Sequence, residues 1–167
     1  MTSFSARAAY VTLAFISFGL IGAALMLQHV VGLDPCPLCI FQRIAYLALA
    51  LFALIAASLS PRTASRWFGV LVLVSALTGA GIAGRHVWLQ MNPQGMSCGP
   101  GLQAMLDNFP LTEVLPKVFR GSGDCSESGW ILVGLTIAEW SLLWFVALAA
   151  ATIFVLFAPR YRSPIKT

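Results

Sequence analysis

Four long apolar stretches dominate the order of hydrophobic and polar positions along the chain. They cover about residues 10–31, 38–59, 67–88 and 130–157. A helix needs about 20 apolar residues to cross a bilayer, so each stretch is long enough to span one. The pattern predicts an all-α membrane protein, a four-helix transmembrane bundle that forms a single domain over residues 1–167.

The longest connection, about residues 92–129, has turn-forming residues at both ends and an apolar stripe between them. The stripe repeats at helical spacing and consists of Leu111, Val114, Leu115, Val118 and Phe119. Pro116 argues against one regular helix. We expect a long outer (periplasmic) loop carrying a short amphipathic segment, which either lies on the membrane surface or packs on the spans.

Composition excludes the common soluble classes. Hydrophobic residues make up 59% of the chain and charged residues 10%. A typical soluble domain has about 45–50% hydrophobic and about 25% charged residues. A soluble enzyme or a nucleic-acid-binding domain of this size could not bury so much apolar surface.

The positions of the charges predict the orientation. Basic residues without any acid occupy the N-terminal tail, the link between spans two and three, and the C-terminal tail: Arg7, Arg62, Arg66, Arg160, Arg162 and Lys166. Positive charge favours the cytoplasmic side of a membrane, so both termini are predicted to be cytoplasmic. This orientation explains the net charge of +4, so the charge does not indicate a nucleic-acid partner.

The chain has four cysteines, and all fall on the predicted outer side: Cys36 and Cys39 in the first link, Cys98 and Cys125 in the loop. An oxidising compartment would allow two disulfides. Three pairings are possible, and proximity in sequence favours 36–39 with 98–125. A 98–125 bridge would stabilise by about 3.6 kcal/mol in the chain-entropy model, so a structural role for it stays open beside a redox role.

A metal site is the rival interpretation of the cysteines. An all-cysteine zinc site needs four converging thiolates and usually takes them from two close pairs. This sequence has one close pair and then two cysteines far apart. An oxidising compartment also disfavours free thiolates, so we expect no metal.

The pair Cys36-Pro37-Leu38-Cys39 opens the second span. Proline is favoured at the first helical position, which predicts a helix that starts at Pro37 with Cys36 as its cap. The exposed N–H groups at a helix start stabilise a thiolate. Arg43 lies one turn after Cys39 and two turns after Cys36, on the same helix face. Two interpretations of Arg43 are open. Its guanidinium donates to the Cys39 thiolate or to an oxygen of an electron acceptor, or its side chain instead extends to the lipid headgroups.

Three further polar residues lie in or next to the spans. His86, beside Arg85, is either a polar interfacial residue or a ligand, and His29 has the same two interpretations. Glu139 in the fourth span could belong to a proton path or make a polar contact between helices.

Together these features resemble the DsbB family of bacterial inner-membrane disulfide-forming proteins. The specific element is Cys36-Pro37-Leu38-Cys39-Ile40-Phe41-Gln42-Arg43. The segments Ser97-Cys98-Gly99-Pro100, Asn108-Phe109-Pro110-Leu111 and Gly121-Ser122-Gly123-Asp124-Cys125 agree with the family as well. The resemblance extends over nearly the whole chain.

The resemblance implies a quinone-dependent protein-disulfide oxidoreductase of the inner membrane, with its redox cysteines in the periplasm. A DsbA-like periplasmic thiol oxidase would be its partner, and its thiolate would attack the 98–125 disulfide at Cys98. Cys125 would then exchange with Cys36, and the inner pair would reduce a quinone, ubiquinone or menaquinone. Cys39 would lie nearest the ring, Arg43 would hold a quinone oxygen, and His86 is the candidate polar group of span three.

Two alternatives remain from the sequence. A four-span scaffold or transporter subunit would carry two structural disulfides and leave Arg43 without a role. A vitamin-K-reductase-like enzyme also combines C-x-x-C with a quinone, but it usually has the pair near the end of a late span.

Overall fold

A computed structural model describes residues 6–32, 35–59, 62–92 and 131–157. Four helices dominate it: α1 (Ala6–Val30), α2 (Pro37–Ser58), α3 (Arg62–Met91) and α4 (Ile137–Phe157). All four are long and apolar enough to cross a membrane. The predicted helical bundle is therefore confirmed, whereas the amphipathic stripe, Cys98 and Cys125 lie outside the described residues.

Helix α2 lies at the centre of the bundle. It packs on both α1 and α3, and α3 packs in turn on α4. Its buried face includes four alanines, Ala45, Ala50, Ala53 and Ala56. Small side chains let helices approach closely in a membrane, where packing rather than exclusion of water drives association.

Large apolar side chains cover the outer surface of the bundle. Phe15, Trp67, Val74 and Phe154 are all exposed, although residues of these types are usually largely buried in soluble proteins. This surface suits contact with lipid, and Trp67 near the start of α3 and Trp88 near its end suit the two interfaces.

A short hairpin precedes α4 and was not predicted. Strand β1 (Ile131–Leu132) pairs antiparallel with β2 (Leu135–Thr136). The two turn residues, Val133 and Gly134, have φ values of 55° and 81°, as a tight primed turn requires. The apolar residues of the hairpin continue the apolar stretch of the fourth span, which is why the sequence suggested a helix from about residue 130.

Glu139 belongs to the start of α4 and not to the middle of a span. Its Oε2 accepts from the backbone N–H of Thr136 at 2.7 Å, and the Thr136 hydroxyl accepts from the N–H of Glu139 at 3.3 Å. This reciprocal pair is a capping box, which satisfies N–H groups that a helix start leaves unpaired. Thr136 Oγ1 also donates to Gln90 Oε1 at 3.0 Å, which ties α4 to α3.

The contact between α3 and α4 depends on a glycine. The ring of Phe145 is fully buried and stacks on Tyr46 with the centroids 3.9 Å apart. A methyl group at Gly79 would overlap that ring. We predict that Gly79→Ala lowers stability by about 1–3 kcal/mol through overpacking.

Thermal unfolding in detergent measures this effect. Gly81→Ala is the matched control, because it lies on the same helix and a methyl there would meet nothing within 4 Å. Equal melting temperatures for the two variants would contradict the prediction.

Candidate redox site at the outer end of the bundle

The predicted cap of α2 is confirmed. Cys36 has extended backbone angles (φ −77°, ψ 164°), its sulfur accepts from the N–H of Cys39, and Pro37 occupies the first turn. Proline fits there because its missing N–H would have had no helical partner. The sequence therefore positions the sulfur of Cys36 directly over the positive end of the α2 dipole.

The two sulfurs of the C-x-x-C pair face each other. Cys36 Sγ donates to Cys39 Sγ over 3.1 Å, and both thiols are free. Cys36 is buried, whereas Cys39 is partly exposed. Removal of two electrons and two protons by an oxidant, with an approach of about 1 Å, would join the two atoms in a disulfide, whose bond is about 2.05 Å long. The hydrogen bond to Cys39, followed by burial, raises the pKa of the Cys36 thiol.

His86 approaches the pair from α3. Its Nε2 lies 3.6 Å from Cys36 Sγ, and its Nδ1 lies 3.2 Å from Nε2 of Gln42. Both His86 and Gln42 are buried. An amide nitrogen can only donate, so Nδ1 accepts and Nε2 carries the ring proton towards Cys36.

Arg43 lies on the other side of the pair and points towards α1. Its guanidinium donates to Gln28 Oε1 at 2.7 Å and to the carbonyl oxygen of Ala24 at 3.4 Å. Arg43 is only 8% exposed, so these contacts hold it inside the bundle and not among headgroups. Its charge still acts on the sulfurs of Cys36 and Cys39.

The inner pair is therefore flanked by two polar clusters from different helices. Gln28 with Arg43 lies on the α1 side, and Gln42 with His86 lies on the α3 side. The sequence analysis named Arg43 and His86 and missed both glutamines. Gln42 follows Cys39 by one turn, and that spacing could have indicated it. Nothing in the sequence pairs Gln28 with Arg43 before α1 and α2 are packed together.

Two other predicted positions fall outside this cluster. His29 is exposed on α1, next to Gln28 in sequence but without a contact to the sulfurs. The outer cysteines, Cys98 and Cys125, lie in the part of the chain that the structure does not describe.

Comparison with known proteins decides the family. The family model for the disulfide bond formation protein DsbB matches residues 6–155. The chain belongs to the DsbB family. The prediction of a membrane-embedded oxidoreductase of this family is confirmed, and the scaffold and vitamin-K-reductase-like alternatives are set aside.

Curated relatives of this DsbB-family chain carry the name disulfide bond formation protein B. One from Aromatoleum aromaticum is 44% identical over 160 residues, covering 95% of this chain and 96% of the relative. One from Azoarcus sp. is 46% identical over 151 residues, covering 89% and 88%. One from Methylobacillus flagellatus is 43% identical over 157 residues, covering 92% and 95%. The similarity thus covers nearly the whole of each DsbB-family protein.

Proposed function

We propose that this DsbB-family protein reoxidises a DsbA-like periplasmic thiol oxidase and passes the two electrons to a membrane quinone. The observation that carries the proposal is the inner pair itself. Cys36 and Cys39 lie with their sulfurs 3.1 Å apart at the first turn of a membrane-spanning helix, beside His86. A redox pair in this position can exchange with thiols outside the membrane and with an acceptor dissolved in it.

Electrons enter through the outer pair in this proposal. A thiolate of the partner attacks the 98–125 disulfide at Cys98, which forms a mixed disulfide and releases Cys125 as a thiolate. Cys125 then attacks Cys36 in the inner disulfide, forming a Cys36–Cys125 bond and releasing Cys39 as a thiolate. The partner's second thiol displaces Cys98 and leaves as the oxidised partner, and Cys98 displaces Cys36, which re-forms the 98–125 bridge and leaves the inner pair reduced. Each step forms one S–S bond and breaks one, as thiol–disulfide exchange requires.

Several groups of the chain favour Cys39 as the leaving thiolate. It lies in the first turn of α2, where N–H groups and the helix dipole stabilise negative charge. The positive charge of Arg43 also acts on it. A thiol with a stabilised anion leaves faster in disulfide exchange, so Cys39 suits the role of the released sulfur.

His86 is the proton-holding group beside the pair. With Gln42 donating to Nδ1, the Nε2 proton points at Cys36 Sγ, 3.6 Å away. An imidazole in this position can supply a proton to that sulfur or take one from it as the inner pair changes redox state. Gln42 holds the ring in the required tautomer and orientation.

The donors at this end of the bundle fit a quinone. A quinone ring needs an apolar surface and N–H donors for its carbonyl oxygens. Arg43 and His86 carry N–H groups on the α1 and α3 sides of the inner pair, where a quinone oxygen would compete with Gln28 and Cys36 for them. Cys39 is a partly exposed residue, whereas Cys36 is buried, so an acceptor from the lipid would approach the pair at Cys39. Bound there, the quinone would accept two electrons and two protons. Ubiquinone and menaquinone both meet these requirements.

We further propose that this end of the bundle faces the periplasm of a bacterial inner membrane and that both termini are cytoplasmic. Gln28 near the end of α1, the start of α2 and His86 near the end of α3 meet at one end. Arg7 and Arg66, near the opposite ends of α1 and α3, support a cytoplasmic location for that other side.

Oxidation of a reduced DsbA-like protein by the purified protein, with the quinone absorbance followed over time, tests the function. We predict one quinone reduced for every two partner thiols oxidised. Cys98→Ala should stop this turnover, whereas its inner pair should still react with quinone when reduced directly by a small dithiol. Turnover of the partner at the normal rate by Cys98→Ala would contradict the proposed order.

A further inference from the structure

Three soft metal ligands converge at the inner pair. The sulfurs of Cys36 and Cys39 and a ring nitrogen of His86 lie within 4.8 Å of one another. The two sulfurs come from the cap and first turn of α2, and the imidazole comes from near the C-terminal end of α3. The sequence argument excluded an all-cysteine site, and it could not show that folding adds a histidine to the close pair.

We propose that the reduced Cys36–Cys39 pair and His86 Nε2 bind one zinc ion, and that the bound ion holds the pair reduced. Zinc would act as a reversible inhibitor and not as a resident cofactor. Binding needs only the reduced thiols and the imidazole, whereas the inhibitory consequence rests on the function proposed above.

The distances favour this coordination. Tetrahedral zinc with Zn–S bonds of about 2.3 Å and Zn–N bonds of about 2.0–2.1 Å separates its ligand atoms by about 3.5–3.8 Å. The S–N distance here is 3.6 Å and the S–S distance is 3.1 Å. The two sulfurs must therefore move apart by about 0.7 Å, and Cys39 Sγ, which lies within 4.8 Å of the His86 ring nitrogen, must come to a similar spacing to complete the protein's share of the site. Two cysteines and one histidine leave the fourth position to water, as in open zinc sites.

The surroundings of His86 also suit a metal ligand. A metal-bound histidine usually donates its other ring N–H to a neighbouring acceptor, which fixes the ring. Gln42 lies 3.2 Å from Nδ1, and rotating its amide by half a turn presents the oxygen to an Nδ1–H. Nε2 then keeps a lone pair for the ion. The two thiolate charges balance the charge of the ion, which offsets the repulsion from Arg43.

The site exists in one redox state only. A disulfide offers no thiolate, so oxidation of the pair removes two of the three ligands. Reduction restores them, and binding of the ion releases the protons of the two thiols. Zinc would therefore capture the protein after it has received electrons and before it has passed them on. Cys39, the partly exposed ligand, gives the ion its path of entry.

The test uses the full-length protein with Cys98 and Cys125 both replaced by alanine, so that the inner pair supplies the only thiols. The reduced, desalted protein is titrated with cadmium under anaerobic conditions, and the thiolate-to-cadmium absorption band is followed. We expect one cadmium per chain, displacement by zinc, and no band after oxidation of the pair. Absence of the band in the reduced protein would overturn the proposal.

Variants in this background separate a three-ligand site from a plain dithiol. His86→Ala should weaken cadmium binding by at least about tenfold, since losing even an outer partner of a metal ligand costs about 10–100-fold. Arg85→Ala is the matched control, because this exposed neighbour contributes no ligand. Equal affinity in His86→Ala and Arg85→Ala would overturn the role of the histidine. Cys36→Ser should abolish the band.

Inhibition is measured separately with the wild-type protein. Zinc should slow quinone-linked oxidation of the partner, and a chelator should restore the original rate. If the metal-free protein does not oxidise the partner, the proposed function is wrong. The cadmium titration still shows whether the metal site exists, because it does not depend on that activity. If the protein is active, binds cadmium and yet turns over at the same rate with zinc, the inhibitory role is wrong.

Discussion

Replacing the sulfur of Cys36 by oxygen, Cys36→Ser, should reduce quinone-linked oxidation of the partner by at least about three orders of magnitude, as removal of a nucleophile does in other enzymes. The variant cannot form the inner disulfide and cannot receive Cys125. Cys39→Ser should have the same effect, because it removes the sulfur that leaves.

The structure predicts that these variants still fold. A disulfide that closes the four-residue loop from Cys36 to Cys39 contributes only about 2 kcal/mol before strain. Serine at position 36 can also replace the sulfur as acceptor for the Cys39 N–H, since serine is among the preferred cap residues. Elution in size-exclusion chromatography and thermal unfolding in detergent check folding. Loss of folding in parallel with loss of activity would favour a structural role for the pair.

The helices and the position of the C-x-x-C pair at the start of α2 could be predicted because each depends on local sequence. Apolar stretches of sufficient length determine the four spans, and the proline after Cys36 determines where α2 begins. Arg43 was predicted to share a helix face with the cysteines, which depends only on helical spacing. These features need no knowledge of how the helices pack.

The partners of those residues could not be predicted, because they come from other helices. Gln28 reaches Arg43 from α1, and His86 reaches Cys36 from α3. In sequence, His86 could be an interfacial residue or a ligand, and only the family resemblance made it a candidate for the site. Its burial against Cys36 and Gln42 appears only after α3 packs on α2.

The role of Glu139 could not be predicted from the sequence for a different reason. A carboxylate inside a long apolar stretch indicates a functional group when it lies within the membrane. The hairpin at 131–136 moves the start of α4 to Ile137, so Glu139 falls in the first turn and caps it. The sequence left the role of Glu139 open because it does not show where α4 begins.

Arg43→Ala should raise the KM for quinone by about 10–100-fold and change the KM for the protein partner much less. A hydrogen bond from a charged donor contributes about 1.5–3 kcal/mol, and every 1.4 kcal/mol is about a factor of ten. Arg43→Lys should recover only part of the loss, because an ammonium cannot reproduce the planar fork of a guanidinium. Kinetics over a series of quinone concentrations at fixed partner concentration measure both constants.

Two further variants separate the direct role of Arg43 from its packing. Gln28→Leu leaves the guanidinium in place but removes its 2.7 Å contact, so it should raise the quinone KM by a smaller factor and leave the partner KM unchanged. Arg85→Ala removes an equal charge from the same end of the bundle, on an exposed residue, and should change neither constant. If Arg43→Ala also leaves both constants unchanged, the guanidinium serves only to join α1 to α2, and the quinone must bind elsewhere than beside Cys39.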